Sequence, residues 1–99
     1  MEIKKTLNGS ELTVALSGSL DTMTVTELEK ELKGSLDGVN EIIFDLADLE
    51  YISSAGLRVL LKAQKYMNAH EGGMKVLNPS ELVMEVFNVT GFSDILTIE

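Results

Sequence analysis

The chain has 99 residues, 44% hydrophobic and 24% charged, with no cysteine and a single histidine. Such a chain is one domain with a core of its own, and it has no means to build a disulfide scaffold, a thiolate nucleophile, a zinc knuckle or a multi-histidine metal site. Sixteen acids against eight bases leave a net charge of −8, which repels phosphate backbones and anionic lipid, so neither nucleic-acid nor membrane-surface binding is expected.

No apolar run approaches the roughly 20 residues that span a bilayer, and Met1-Glu2-Ile3-Lys4-Lys5 is not followed by an apolar signal segment. A cytoplasmic protein without membrane insertion is expected. Ile3 and Leu7 flank a short first strand, which Asn8-Gly9 ends in a hairpin-type turn. Leu12, Val14 and Leu16 alternate with Thr13, Ala15 and Ser17, the pattern of a half-buried strand. Thr24 with Glu27 three residues on predicts a capping box, and behind it Val25, Leu28, Leu32 and Leu36 share one helical face. On the exposed side of that helix, Glu27–Lys30 and Glu29–Lys33 have the spacing to pair. Ile42-Ile43-Phe44 reads as a central strand covered on both faces, ending at Asp45 in a polar-rich loop, Asp45 to Glu50.

From Ser54 to about His70 the period is helical. Arg58, Lys62, Lys65 and Ala69 fall on one narrow stripe, while Leu57, Val59, Leu60, Leu61, Ala63, Tyr66 and Met67 fill most of the rest. An arc that wide predicts a helix buried on more than one side. Gly72-Gly73 stops it, Met74 to Leu77 is a further buried strand, and Pro79-Ser80 opens a last helix carrying Leu82, Val83, Val86 and Phe87, stopped at Gly91. Ile95, Leu96 and Ile98 pack a short final segment. Strand–helix–strand units favour parallel pairing and the opening hairpin supplies an antiparallel edge, so an α/β fold with a mixed sheet follows.

An enzyme needs tools that are missing here. There is no P-loop and no GxGxxG fingerprint. Ser53-Ser54-Ala55-Gly56 is not a nucleophile elbow, and His70 lies roughly 24 Å along the same helix from Ser54 at 1.5 Å per residue. Asp45, Asp48 and Glu50 read as a polar loop near a helix N-terminus rather than a metal site. His70 reads as a last-turn residue near the negative dipole end, and the five Met residues as core filler. No cofactor and no metal are expected.

Two serines, Ser53 and Ser54, stand where the long helix begins. A helix start needs one capping hydroxyl, so the other is spare. A phosphate on it sits where free N–H groups and the helix dipole favour an anion, adding about −1.5 to −2 charges without melting the helix.

The stretch Phe44-Asp45-Leu46 … Tyr51-Ile52-Ser53-Ser54-Ala55-Gly56-Leu57 resembles the signature of the STAS domain family, whose best-known members are bacterial anti-sigma factor antagonists. Gly18-Ser19-Leu20-Asp21 and Val89-Thr90-Gly91-Phe92 agree with it in order and spacing. The resemblance spans residues 1–99 and implies one STAS domain, a mixed β-sheet of about four to five strands packed against three or more helices. It implies that Ser54 is phosphorylated by an anti-sigma factor that is itself a serine kinase, and that a serine phosphatase resets it. The unphosphorylated antagonist captures its partner and frees a sigma factor; the phosphorylated form lets go. Ser53 occupies a position that is often Asp in the family. Asp21 is expected beside the helix start and Asp45 at the end of the neighbouring strand, with Ala55, Gly56 and Arg58 completing the surround. The alternative within the family is a non-switching STAS scaffold, a subunit of a lipid-transport or stress-sensing assembly.

Overall fold

Runs of alternating apolar residues form the strands, which lie side by side in chain order. In the computed structural model, which describes residues 1–99, one sheet holds β1 (Glu2–Asn8), β2 (Glu11–Leu20), β3 (Glu41–Ile52) and β4 (Gly73–Leu77) in the order β1-β2-β3-β4. β1 runs antiparallel to β2 through a two-residue turn in which Gly9 takes φ +64°, a conformation open to glycine at no steric cost. β2–β3 and β3–β4 are parallel, joined across α1 (Val25–Leu32) and α2 (Ser54–Ala69); α3 (Glu81–Thr90) follows β4. The outer edge of β4 is covered by the end of the chain: Val76 N–H donates to Thr97 O at 2.8 Å and Glu99 N–H to Val76 O at 2.9 Å. The expected mixed sheet with three helices is what forms.

One face of the sheet carries the core. Leu12, Val14, Leu16 and Leu20 of β2 and Ile42, Phe44, Leu46, Leu49 and Ile52 of β3 meet Leu28, Leu57, Leu60, Met67, Val83 and Phe87 from the helices in one buried cluster. The other face holds no buried residue, and Ile43 is only half-buried there. The expectation that this strand is covered on both faces is therefore corrected: Ile42 and Phe44 face the helices and Ile43 does not.

The polar stretch Asp45 to Glu50 is strand, not loop, and β3 runs on to Ile52. The reason lies in the pairing. Ala15 pairs with Asp45 but Ser17 with Asp48, and Gly18 with Leu49 but Ser19 with Tyr51, so β3 carries one extra residue at each of two bulges. Each bulge turns an inward spacing of two into one of three. Leu46, Leu49 and Ile52 thus all reach the core despite the charged residues between them.

α2 packs against β3, β4 and α1, with Leu57, Leu60, Ala63 and Met67 buried and the stripe Arg58, Lys62 and Lys65 exposed, as its pattern suggests. α3 is capped by Ser80, whose Oγ accepts from Val83 N–H at 3.2 Å, and it stops at Gly91 with φ +82°. Leu82 is half exposed; Val83 and Phe87 are buried in the core, with Met84 and Val86 packed against it. The pairs expected along α1 do not form; Glu29 reaches Lys62 on α2 at 3.7 Å and Glu31 reaches Lys5 on β1 at 2.9 Å.

Candidate functional site

The site lies at the carboxyl ends of β2 and β3, where α1 and α2 begin together. Leu20 pairs with Ile52, and one residue on, Ser53 N–H donates to Leu20 O at 2.9 Å. That bond fixes the chain entering α2 to the chain entering α1, and so brings Asp21 beside the start of α2.

Asp21 organises its own turn. Its Oδ1 accepts from Met23 N–H at 2.9 Å and Thr24 N–H at 3.2 Å, and its carbonyl accepts from Val25 N–H at 2.9 Å. Thr24 Oγ1 donates to Ser19 O at 2.8 Å and accepts from Asp21 N–H at 2.9 Å. The capping box expected from Thr24 and Glu27 is thus corrected: Thr24 gives no side-chain cap to α1 and spends its hydroxyl tying the turn to β2. The carboxylate satisfies the first amides instead, as short polar side chains in such turns do.

At the start of α2 the two serines separate sharply. Ser53 is the N-cap residue, with φ −97° and ψ 175°, but its hydroxyl makes no cap bond; Ser53 Oγ is buried without a hydrogen-bond partner. Ser54, the first helical residue, is exposed. The expectation that one of the two hydroxyls caps the helix is not met. Ala55 is half-buried, and Gly56 is buried where a Cβ would stand 2.8 Å from Ile52 Cγ1 and Leu20 Cγ and 2.9 Å from Leu20 O. Only glycine lets the first turn of α2 lie this close to the strand ends, which holds Ser54 at a fixed place on the rim.

Arg58 stands one helical turn after Ser54, exposed, with no ion pair and no side-chain hydrogen bond. Asp45 does not join this group. It pairs with Ala15 and Leu77 in mid-strand, and its Oδ1 accepts from Ala47 N–H at 3.1 Å and Asn78 Nδ2 at 3.4 Å. Seven residues of strand, roughly 20 Å, separate it from Ile52, because β3 continues where a loop was expected. Asp45 supports the turn after β4 and not the start of α2.

Two residues of the rim were not singled out from sequence. Met23, in the Asp21 turn, is 84% exposed, and Tyr51, at the end of β3, is 45% exposed. Met67 and Met74 do fill the core, but Met23 corrects the reading of all five Met as filler. Its signal was local: an apolar residue between Thr22 and Thr24, in a turn that offers it nothing to pack on. The main groove of the surface, about 390 Å³ between the later turns of α1 and α2, is lined by Leu32, Leu36, Val59, Ala63 and Tyr66 and touches none of these residues. Ser54, Arg58, Met23 and Tyr51 are all exposed at this end of the fold.

The chain matches the STAS domain family over residues 2–99. It belongs to the STAS family. Among its relatives, BtrV of Bordetella bronchiseptica is 35% identical over 88 residues, covering 88% of this chain and 76% of BtrV. The anti-sigma-B factor antagonist of Staphylococcus epidermidis is 30% identical over 86 residues, covering 86% of this chain and 80% of that protein. Among solved structures, the anti-sigma factor antagonist SpoIIAA in its unphosphorylated form superposes with a TM-score of 0.86 at 22% identity, covering 99% of this chain and 88% of that one. The phosphorylated form of SpoIIAA, a Bacillus cell fate determinant, gives 0.78 at 21% identity, covering 99% and 91%. These two likenesses establish the STAS fold. No helix of the protein is long and apolar enough to cross a membrane.

Proposed function

We propose that this STAS domain is an anti-sigma factor antagonist that switches by phosphorylation of Ser54. Unmodified, it binds a cytoplasmic anti-sigma factor with serine kinase activity through the rim formed by the Asp21 turn, Tyr51 and the first turns of α2, and so frees a sigma factor. Phosphorylated, it is released, and a serine phosphatase returns it to the binding form. The observation that carries this reading is the division between the two serines. Ser54 is exposed at the first position of α2, whereas the hydroxyl of Ser53 is buried and out of a kinase's reach.

The release is electrostatic and steric. A phosphate carries about −1.5 to −2 charges at neutral pH, and it lands in the middle of the docking rim beside Asp21. A loss of about 4 kcal/mol in the complex, ordinary for a misplaced charge in an interface, weakens binding roughly a thousandfold. The fold is untouched because an anion at a helix N-terminus is favourable.

Binding of the purified protein to kinase-type anti-sigma factors of its own genome tests this. Wild type and Ser54→Ala are expected to bind one of them comparably, and Ser54→Asp markedly more weakly. Equal binding by Ser54→Asp and wild type would remove the switch and leave a plain binding module.

A further inference from the structure

Arg58 is the only arginine in the chain, and no other Lys or Arg lies within seven residues of Ser54 on either side. It stands at i+4 from Ser54 on α2, the spacing at which helical side chains are neighbours, about 5–6 Å apart at Cβ. Side chains on a helix lean toward its N-terminus, so the surface that Arg58 covers is the turn that begins with Ser54. Its guanidinium is exposed and has no carboxylate partner, whereas Lys62, one turn further, is held by Glu29 at 3.7 Å. The other charged or titratable groups at this end of the fold are Asp21, Glu27 and Lys30 on the α1 side, Glu50 and Tyr51 at the end of β3, and Glu2 with the α-ammonium of Met1, which lies beside Gly18. Arg58 is the one cation on the first two turns of α2. A dianion placed on Ser54 therefore has one counter-charge a single turn away on its own helix.

We propose that Arg58 is the intramolecular clamp for a phosphate on Ser54. The inference rests on the phosphorylation proposed above and specifies what happens to the phosphate once it is there. A guanidinium presents paired N–H donors that match two phosphate oxygens, and an anion preceding a cation by four residues also follows the helix dipole. The clamp fixes the phosphate over the first turn of α2, in the path of a docking partner. In the unmodified protein Arg58 has nothing to hold.

Phosphoserine installed at position 54 during translation tests the clamp without any kinase, so its failure is separate from a failure of the switch itself. The ³¹P resonance is titrated in that protein and in its Arg58→Gln, Arg58→Lys and Lys62→Gln variants. A cation beside the phosphate favours the dianion, so the wild-type midpoint is expected about 0.3 pH below that of Arg58→Gln at low salt. Arg58→Lys is expected to restore part of the difference, Lys62→Gln to leave it unchanged, and about 1 M salt to erase it. Equal midpoints in wild type and Arg58→Gln overturn the proposal. So does an unchanged midpoint accompanied by weaker binding of unphosphorylated Arg58→Gln to its partner, which makes Arg58 a partner contact instead.

Discussion

Ser53 and Ser80 occupy the same position, the residue before a helix, on α2 and α3, yet only Ser80 caps. Ser80 Oγ accepts from Val83 N–H, so Ser80→Ala is expected to cost about 1 kcal/mol in urea unfolding. Ser53 Oγ is buried with no partner, so Ser53→Ala removes an unmet polar group and is expected to leave stability unchanged or raise it by up to about 1 kcal/mol. Equal losses for the two variants would mean that Ser53 caps α2 after all. Gly56→Ala sets helix propensity, a gain of about 1 kcal/mol, against a Cβ forced to 2.9 Å from Leu20 O. Backbone cannot yield cheaply, so overpacking wins and a net loss of about 1–2 kcal/mol is expected by the same measurement. Of the residues that sequence marked, Ser54, Ala55, Gly56 and Arg58 lie in the first two turns of α2, and Asp21 follows Leu20, whose carbonyl accepts from Ser53 N–H. Sequence could not show that the Ser53 hydroxyl is buried, because that depends on how the entry to α2 is tied to Leu20 O, a contact across 33 residues of chain.

Elements were legible wherever a single period ruled. β2 alternates, α2 repeats at helical spacing, and both are where the pattern places them. β3 was half hidden because its inward residues change spacing at two bulges, so neither a strand nor a helix period fits Asp45 to Glu50. That one misreading also misplaced Asp45, which a continuing strand carries away from the start of α2. The helix starts were partly legible: α1 begins beside Thr24, but what holds the turn leading into it is the Asp21 carboxylate, three residues earlier, which accepts from Met23 and Thr24 N–H. Asp21→Ala is therefore expected to cost about 1 kcal/mol, chiefly by loosening the start of α1. Hydrogen exchange is expected to rise most at Met23, whose amide loses its acceptor, less at Thr24, which keeps the Asp21 carbonyl at 3.1 Å, and not at Glu27. Faster exchange at Glu27 alone would restore the capping box.

At the scale of the whole molecule, charge acts twice. The ion pairs are few and partly exposed, Lys75 with Glu41 and Glu99 at 3.8 and 3.6 Å among them, and each contributes at most about 1 kcal/mol. A net charge of −8 on 99 residues repels itself, and that repulsion is the larger effect. Raising salt from about 0.01 M to about 0.15 M shortens the screening length from about 30 Å to about 8 Å, so Tm is expected to rise by a few degrees. A fall would mean that the ion pairs dominate. The same acidity gives phosphorylation of Ser54 its leverage. One further anion changes the total little, but at the rim, beside Asp21, it decides whether a partner docks.

The most direct test of the switch is intact-mass analysis of the protein incubated with its cognate kinase-type anti-sigma factor and ATP. Wild type and Ser53→Ala are each expected to gain a single phosphate and Ser54→Ala none. A phosphate on Ser54→Ala that disappears in Ser53→Ala would contradict the account, since it would require a kinase to reach the one hydroxyl of the pair that the fold buries.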